Sequence, residues 1–307
     1  MQPGRTQQQS PTAASLQRCT QSITNTKFAT DMSICKFCGQ KAGLFNSVHK
    51  ECKAANDAGK VTIVNKVSEA IVTAADFPTF EAEVNNIAQS AYIKKEELGE
   101  LYSLGFDKAV ETFLEDDLVS PEEEEKISNF KSHSPFDDSI LDKQGSLQKI
   151  VKSLILRDVF DEKIPARINV SGTLPFLFQK DESLIWVFQN VEFYEQRTKT
   201  TYQGRSQGVS VKVAKGLYYR TGSFKGNPVT SQEMTLLGSG ILALTNKNLY
   251  FASSAKTFKT PYNKIVSINQ YSDGIGIQKD GVSSKPQIFK DLDGWFAYNL
   301  ISNLNKQ

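Results

Sequence analysis

Histidine is the scarcest reactive side chain of this protein: 307 residues contain only His49 and His133. Imidazole is the usual proton shuttle near neutral pH and a frequent metal ligand, so its scarcity excludes most chemistry that needs several of them. Phosphate-cradling G-x-x-x-x-G-K-S/T loops, G-x-S-x-G elbows and H-E-x-x-H helices are missing as well. Gly274-Ile-Gly276 stops short of a dinucleotide-binding fingerprint because position 279 is Lys. If His49 is committed to a metal, His133 is the sole remaining imidazole, in the loop-like stretch Lys131-Ser-His-Ser-Pro135. No residue can be named as catalytic, so the chain is expected not to be an enzyme, and no small-molecule substrate is identified.

Long apolar runs are missing too. No stretch approaches the ~20 residues that cross a bilayer, and the opening Met1-Gln-Pro-Gly-Arg-Thr-Gln-Gln-Gln9 lacks the apolar segment of a secretory signal. The expected location is the cytoplasm, with peripheral attachment at the inner face of the membrane as the remaining membrane association. Cysteine is sparse: the chain has four, and a reducing compartment favours thiols over disulfides. Cys19 lies in a polar tract and reads as a free thiol.

The other three cysteines are concentrated. Cys35, Cys38, His49 and Cys52 form C-x2-C-x10-H-x2-C, a complete tetrahedral set for one structural Zn2+ with no position left open for water. The stretch from Ile34 to Ala54 is too short to bury a core and needs a cross-link to hold a shape. Gly39 suits a tight turn whose amides point back at thiolate sulfur. A helix starting within Ser47-Val-His-Lys-Glu-Cys52 would put His49 and Cys52, at i and i+3, on one face. A redox Cys-x-x-Cys would require a βαβ context that is absent. Phe37 and Phe45 read as the apolar core of this module. The segment resembles zinc ribbons and treble clefs, which pair a Cys-x-x-Cys-Gly knuckle with a second ligand pair.

A content of 39% hydrophobic and 10% aromatic residues is enough for ordinary cores, and the length suits two or three domains. The net charge of +2 conceals an asymmetry. Residues 1–59 carry 7 basic and 3 acidic side chains, residues 60–165 carry 12 and 22, and residues 166–307 carry 17 and 9. An acidic middle between basic ends points to separate modules. The expected organisation is a multidomain α+β chain: a disordered Gln/Ser/Thr-rich tail over 1–30, a zinc-binding module over 31–58, an acidic all-α domain over 61–164 and a β domain over 166–307.

In the middle region apolar residues recur with helical period, as in Val64, Val67 and Ile71, then Phe80, Val84 and Ile87, then Ile150, Leu154 and Ile155. The densest charge cluster, Glu115-Asp-Asp-Leu-Val-Ser-Pro-Glu-Glu-Glu-Glu125, reads as a helix start: Ser120 as N-cap, Pro121 at N1 and carboxylates at the positive end of the dipole. The wider stretch from Phe113 to Ile127 resembles the acidic helix-to-helix turn of TerB-type bundles.

After Pro165 the period changes to two. Ser183–Phe188, Gly208–Val213, Leu217–Tyr219, Ile241–Leu244, Asn248–Phe251, Lys264–Ile268 and Gly274–Gln278 read as strands, separated by Gly238-Ser-Gly240, Thr245-Asn-Lys-Asn248 and Asp273-Gly274 as turns. The stretch Asp291–Leu304 reads as a helix too apolar to stand alone, with Trp295 assigned to the core. Gly240-Ile-Leu-Ala-Leu-Thr-Asn-Lys-Asn-Leu-Tyr-Phe251 and Phe258–Ile268 resemble the bacterial pleckstrin-homology-like (PH-like) and GRAM pattern. That resemblance implies an antiparallel PH-like β-barrel with a capping helix, a fold whose members bind phospholipid head groups, peptides or partner domains.

A lipid or partner surface of this kind needs clustered cations. The best cluster is Arg197, Lys199, Arg205, Lys212 and Lys215, on one expected hairpin. The chain therefore reads as a non-enzymatic adaptor or scaffold whose PH-like domain docks on a protein partner or, as the second choice, on an anionic membrane surface. The alternative is a nucleic-acid-binding zinc protein in which Lys36, Lys41, Lys50 and Lys53 touch phosphates.

Overall fold

The computed structural model describes residues 33–43, 46–214 and 217–305; within these, residues 202–214, 217–226 and 228 are described by backbone alone. The tail expected over 1–30, Cys19 and Phe45 lie outside the described residues. The chain divides into two compact units, residues 1–54 and 55–307.

The first unit contains a two-stranded ribbon, β1 (Ser33–Ile34) and β2 (Lys41–Gly43), paired antiparallel with Ile34 opposite Lys41. The helix α1 (Lys50–Thr73) starts here, with His49 as the residue before its first turn.

The second unit is mixed α+β. Its helical part comprises the rest of α1 with α2 (Phe77–Ser90), α3 (Lys95–Phe113), α4 (Pro121–His133), α5 (Asp138–Leu141) and α6 (Ser146–Phe160). Their apolar stripes converge on one core containing Ile63, Val67, Phe80, Tyr102, Phe106 and Phe130. Gly105 permits this closeness: a Cβ there would lie 2.5 Å from Val67 and 2.8 Å from the Val64 carbonyl, so α1 and α3 pack backbone against side chain. The acidic run is a helix start. Ser120 Oγ accepts from the Glu123 amide at 3.3 Å while the Ser120 amide donates to Glu123 Oε2 at 2.8 Å, a reciprocal capping box. His133 ends α4 and does not sit in a free loop; its Nδ1 lies 2.8 Å from the Asn129 carbonyl.

The sheet has seven antiparallel strands in the order β6-β5-β4-β3-β9-β8-β7. These are β3 (Leu184–Ala214), β4 (Leu217–Thr245), β5 (Asn248–Ser253), β6 (Thr257–Pro261), β7 (Ile265–Tyr271), β8 (Gly274–Lys279) and β9 (Gln287–Lys290). Among the described residues the expected barrel is an open sheet with β6 and β7 as its edges. Pro261 ends β6, where a missing N–H breaks no interior ladder, and a 3-10 turn over Tyr262–Lys264 carries the chain to the opposite edge.

Three further expectations are corrected by the strands and the last helix. Gly238 and Gly240 are not in a turn: β4 runs through them. The register shifts between Phe193 and Tyr194, which face Gly238 and Leu236, so the extra residue is a bulge, and Gly238 takes a φ of +149°. A Cβ on Gly240 would stand 2.0 Å from the Ala252 carbonyl, so this glycine lets β4 and β5 meet. The fragments expected at 183–188 and 208–213 are parts of one strand, β3, paired with β4 from Leu184 opposite Thr245 out to Ala214 opposite Leu217.

Trp295 is the third. The helix α7 (Gly294–Leu304) starts at N-cap Asp293, whose carboxylate accepts from the Phe296 amide at 3.0 Å, and buries Phe296, Ala297, Leu300, Ile301 and Leu304. That spacing defines one face, and Trp295 falls on its flank at 39% exposed. The indole inside the core is Trp186 of β3, edge-on to Phe296 at 5.1 Å between ring centroids. Ile155, Leu156 and Val159 of α6 join this second core, while Ile150 and Leu154 of the same helix face the first. No helix among the described residues is long and apolar enough to cross a membrane.

Candidate metal centre

Four ligand atoms converge where the sequence spacing places them. The sulfurs of Cys35, Cys38 and Cys52 and a ring nitrogen of His49 all lie within 4.8 Å of one another. Each comes from a defined local element. Cys35 and Cys38 sit in the tight connection between β1 and β2, closed by the Gly39 amide donating to the Cys35 carbonyl at 2.9 Å and the Cys35 amide donating to the Gln40 carbonyl at 2.7 Å. Gly39 adopts a φ of +71°, the left-handed turn that a side chain would disfavour. His49 precedes α1, where its carbonyl accepts from the Lys53 amide at 3.0 Å, and Cys52 lies in the first turn.

The imidazole is oriented from outside the cluster. His49 Nε2 lies 3.0 Å from the Lys41 carbonyl, which can only accept, so this nitrogen carries the proton. The lone pair of a neutral ring is then on Nδ1, 3.3 Å from Cys38 Sγ and 3.7 Å from Cys52 Sγ. A carbonyl holding the far nitrogen is the usual support of a metal-bound histidine.

The sulfurs differ in surroundings. Burial pushes the Cys35 thiol up, but the amides of Cys38, His49 and Phe37 directed at its sulfur outweigh this and bring it to about 6. Cys52 is driven the other way, by burial and by the neighbouring Cys38 and Cys35, to about 11. Crowded thiols of this kind cannot all ionise without a cation among them. Three sulfurs and one imidazole nitrogen fit a tetrahedral, thiophilic divalent ion such as Zn2+, and leave no protein-free position in a four-coordinate shell.

The second set of expected site residues is only partly described. Arg197 and Lys199 lie exposed on β3 beyond the part of that strand paired with β9; Arg197 is opposite Glu233, and Lys199 Nζ stands 3.5 Å from the Glu233 carboxylate. Arg205 and Lys212 have described backbone in the same strand, opposite Lys225 and Tyr218, but their side chains lie outside the description, as does the whole of Lys215. The module lysines Lys36, Lys41, Lys50 and Lys53 are all exposed.

Two polar clusters escape sequence reading. Arg167 grips Asp158 through Nε and Nη2 and reaches Glu124 with Nη1 at 2.7 Å, and Glu124 also pairs with Arg157. Glu182 accepts from the Gln179 amide and the Tyr250 hydroxyl, each at 2.7 Å, from Thr245 Oγ1 at 3.2 Å and from the Asn248 side chain, pinning the Thr245–Asn248 turn. Each cluster also draws on partners tens of residues away, Glu124 from Arg157 and Arg167 and Glu182 from Thr245, Asn248 and Tyr250, so no local pattern announces it.

Compared with protein-family models, with curated proteins and with solved structures, the chain gives no significant match to any of them. The likenesses to zinc modules, TerB-type bundles and PH-like domains accordingly rest on motif and strand order alone.

Proposed function

We infer that this protein is a non-enzymatic adaptor: a module held by one structural zinc ion, an acidic helical part, and a PH-like sheet that docks on a protein partner or an anionic membrane surface. The observation that carries the zinc assignment is the closed Cys35–Cys38–His49–Cys52 set with its oriented Nδ1. Ligands drawn from a knuckle and from the start of a helix favour the treble-clef likeness over the ribbon.

The PH-like assignment is supported by topology. Numbered from β3, the sheet order is 4-3-2-1-7-6-5, followed by one C-terminal helix against the inner face. That is a four-strand meander and a three-strand meander joined through the first and last strands, as in PH-like domains. The docking surface is assigned to the β3–β4 ribbon beyond Arg197. Cations there add ~1 kcal/mol each near an anionic leaflet and respond steeply to salt. His133, bonded at the end of its helix, offers no support for an enzyme. The four exposed module lysines keep nucleic-acid binding as the second function.

Metal analysis of protein purified without chelator should give one zinc per chain, lost in Cys38→Ser. Co-sedimentation of the full chain with phosphatidylserine vesicles at low salt should fall in the Arg197→Glu/Lys199→Glu variant. Metal-free wild-type protein would remove the zinc assignment. Vesicle and partner binding untouched by the reversal would remove the ribbon.

A further inference from the structure

The inner face of the sheet ends in a polar layer that the aromatic core does not require. Side chains alternate along a strand, so Glu195 shares a face with Phe193, Thr260 with Phe258, Lys279 with Ile277 and Gln287 with Phe289. Thr260 and Gln287 are each only 2% exposed. All four border a cleft of about 440 Å³ lined also by Lys259, Lys264, Ser284 and Lys285.

The hydrogen bonding of this layer is incomplete. Lys256 pairs with Glu195 at 2.6 Å, and Glu195 accepts also from Gln287 Nε2 at 3.2 Å. That contact fixes the Gln287 amide: its nitrogen faces the carboxylate, and its Oε1 remains a pure acceptor. Four buried side-chain polar atoms lack a hydrogen-bond partner among the described residues, and three of them, Gln287 Oε1, Thr260 Oγ1 and Ser284 Oγ, belong to residues lining this cleft. Buried groups are seldom left unpaired, and three in one place mark a site built for something to fill it.

Charge selects the occupant. Lys264, Lys279 and Lys285 border the cleft against Asp280 and Glu195, and Glu195 is already matched by Lys256, while Lys259, next to Thr260 along β6, turns to the other face of the sheet. Burial, followed by the nearby Lys256 ammonium, holds Lys279 below the ordinary lysine value despite Glu195. An anion would relieve both. Water would satisfy the orphaned hydroxyls and the amide oxygen but not the excess positive charge.

We propose that this cleft binds a small phosphorylated polyol, its phosphate held by Lys279 and the surrounding lysines and a hydroxyl donating to Gln287 Oε1. The site is distinct from the β3–β4 ribbon, since neither Arg197 nor Lys199 lines it.

Isothermal titration of the full chain with inorganic phosphate, glycerol 3-phosphate and glycerol tests this. Both phosphates should bind saturably, glycerol 3-phosphate more tightly, and glycerol not at all. Lys279→Met should weaken glycerol 3-phosphate at least about tenfold, the scale of one charge-assisted hydrogen bond. Lys285→Met, at an exposed position, should weaken it as well and carries the test if Lys279→Met fails to fold. Glycerol 3-phosphate displacing the protein from phosphatidylcholine vesicles doped with a phosphoinositide would name a lipid head group as the source of the ligand; binding of the soluble probe without vesicle association would name a free phosphate ester. Absence of saturable binding by either phosphate, or unchanged affinity in the folded lysine variants, overturns the proposal.

Discussion

Phe296→Ala should cost most of the stability of the sheet, and its neighbour Trp295→Ala very little. Phe296 is fully buried, edge-on to Trp186 at 5.1 Å and to Phe188 at 6.1 Å, with Lys152 Nζ 5.5 Å from its ring centroid. Truncating such a phenyl ring loses about 3–5 kcal/mol in transfer and cavity terms, out of the roughly 5–15 kcal/mol that holds a domain together. Trp295 is 39% exposed and leaves no enclosed void, so its truncation should cost about 1 kcal/mol. Urea unfolding of both variants, followed by far-ultraviolet circular dichroism, reads the difference as a shift in midpoint at unchanged slope. Acrylamide quenching in Trp186→Phe and Trp295→Phe proteins should find Trp295 accessible and Trp186 shielded. Equal losses in the two alanine variants, or a Trp295 as shielded as Trp186, would refute the orientation of α7.

Two further outcomes follow from the polar clusters. Asp158 is held below the usual carboxylate range by its bonds to Arg167; burial pushes Glu124 up, but Arg157 and Arg167 outweigh it and leave it lowered. Groups depressed in the folded state stabilise above their unfolded value, near about 4, and that contribution vanishes as pH falls through the folded value. The gap in melting midpoint between wild type and Arg167→Gln should therefore narrow on acidification from neutrality; a gap constant down to about pH 3 would contradict the pairing. Glu182→Gln should destabilise by about 2 kcal/mol through weakened charge-assisted bonds. It should also let the Tyr250 hydroxyl, raised to about 12 by burial and then by Glu182, titrate at lower pH, a change that an ultraviolet titration would detect.

Sequence reading succeeds here where the signal is local. The apolar stripe through Val67 and Ile71, the Ser120–Pro121 start of α4 and the Thr245–Asn248 turn depend on residues within a few positions of one another, and each occupies the element its pattern dictates. It fails where the deciding partner is distant. Gly238 looks like a turn residue until β3 is laid beside it and the extra residue proves to be a bulge. The four-residue β9 is too short to show a period, yet it joins the two halves of the sheet by pairing with both β3 and β8. Trp295 and Phe296 are equally apolar in the sequence, and only the sheet decides which of them turns inward.

The same division separates the two sites. All four candidate metal ligands fall within eighteen consecutive residues, and a thiophilic ion demands side chains so specific that spacing alone betrays them. The cleft draws Glu195, Thr260, Lys279 and Gln287 from four different strands, each two positions from an inward-facing apolar residue of its own strand. Along the chain Thr260, Lys279 and Gln287 are ordinary strand-end residues and Glu195 an ordinary polar position within β3. Only antiparallel pairing, which brings Glu195 opposite Gln287 and carries β6 and β8 to the same end of the core, converts four unremarkable positions into one polar layer beside several lysines. A ligand site of this kind needs no signature in the sequence, because lysines recognise an anion, and an unpaired amide oxygen a hydroxyl, through their placement in the fold.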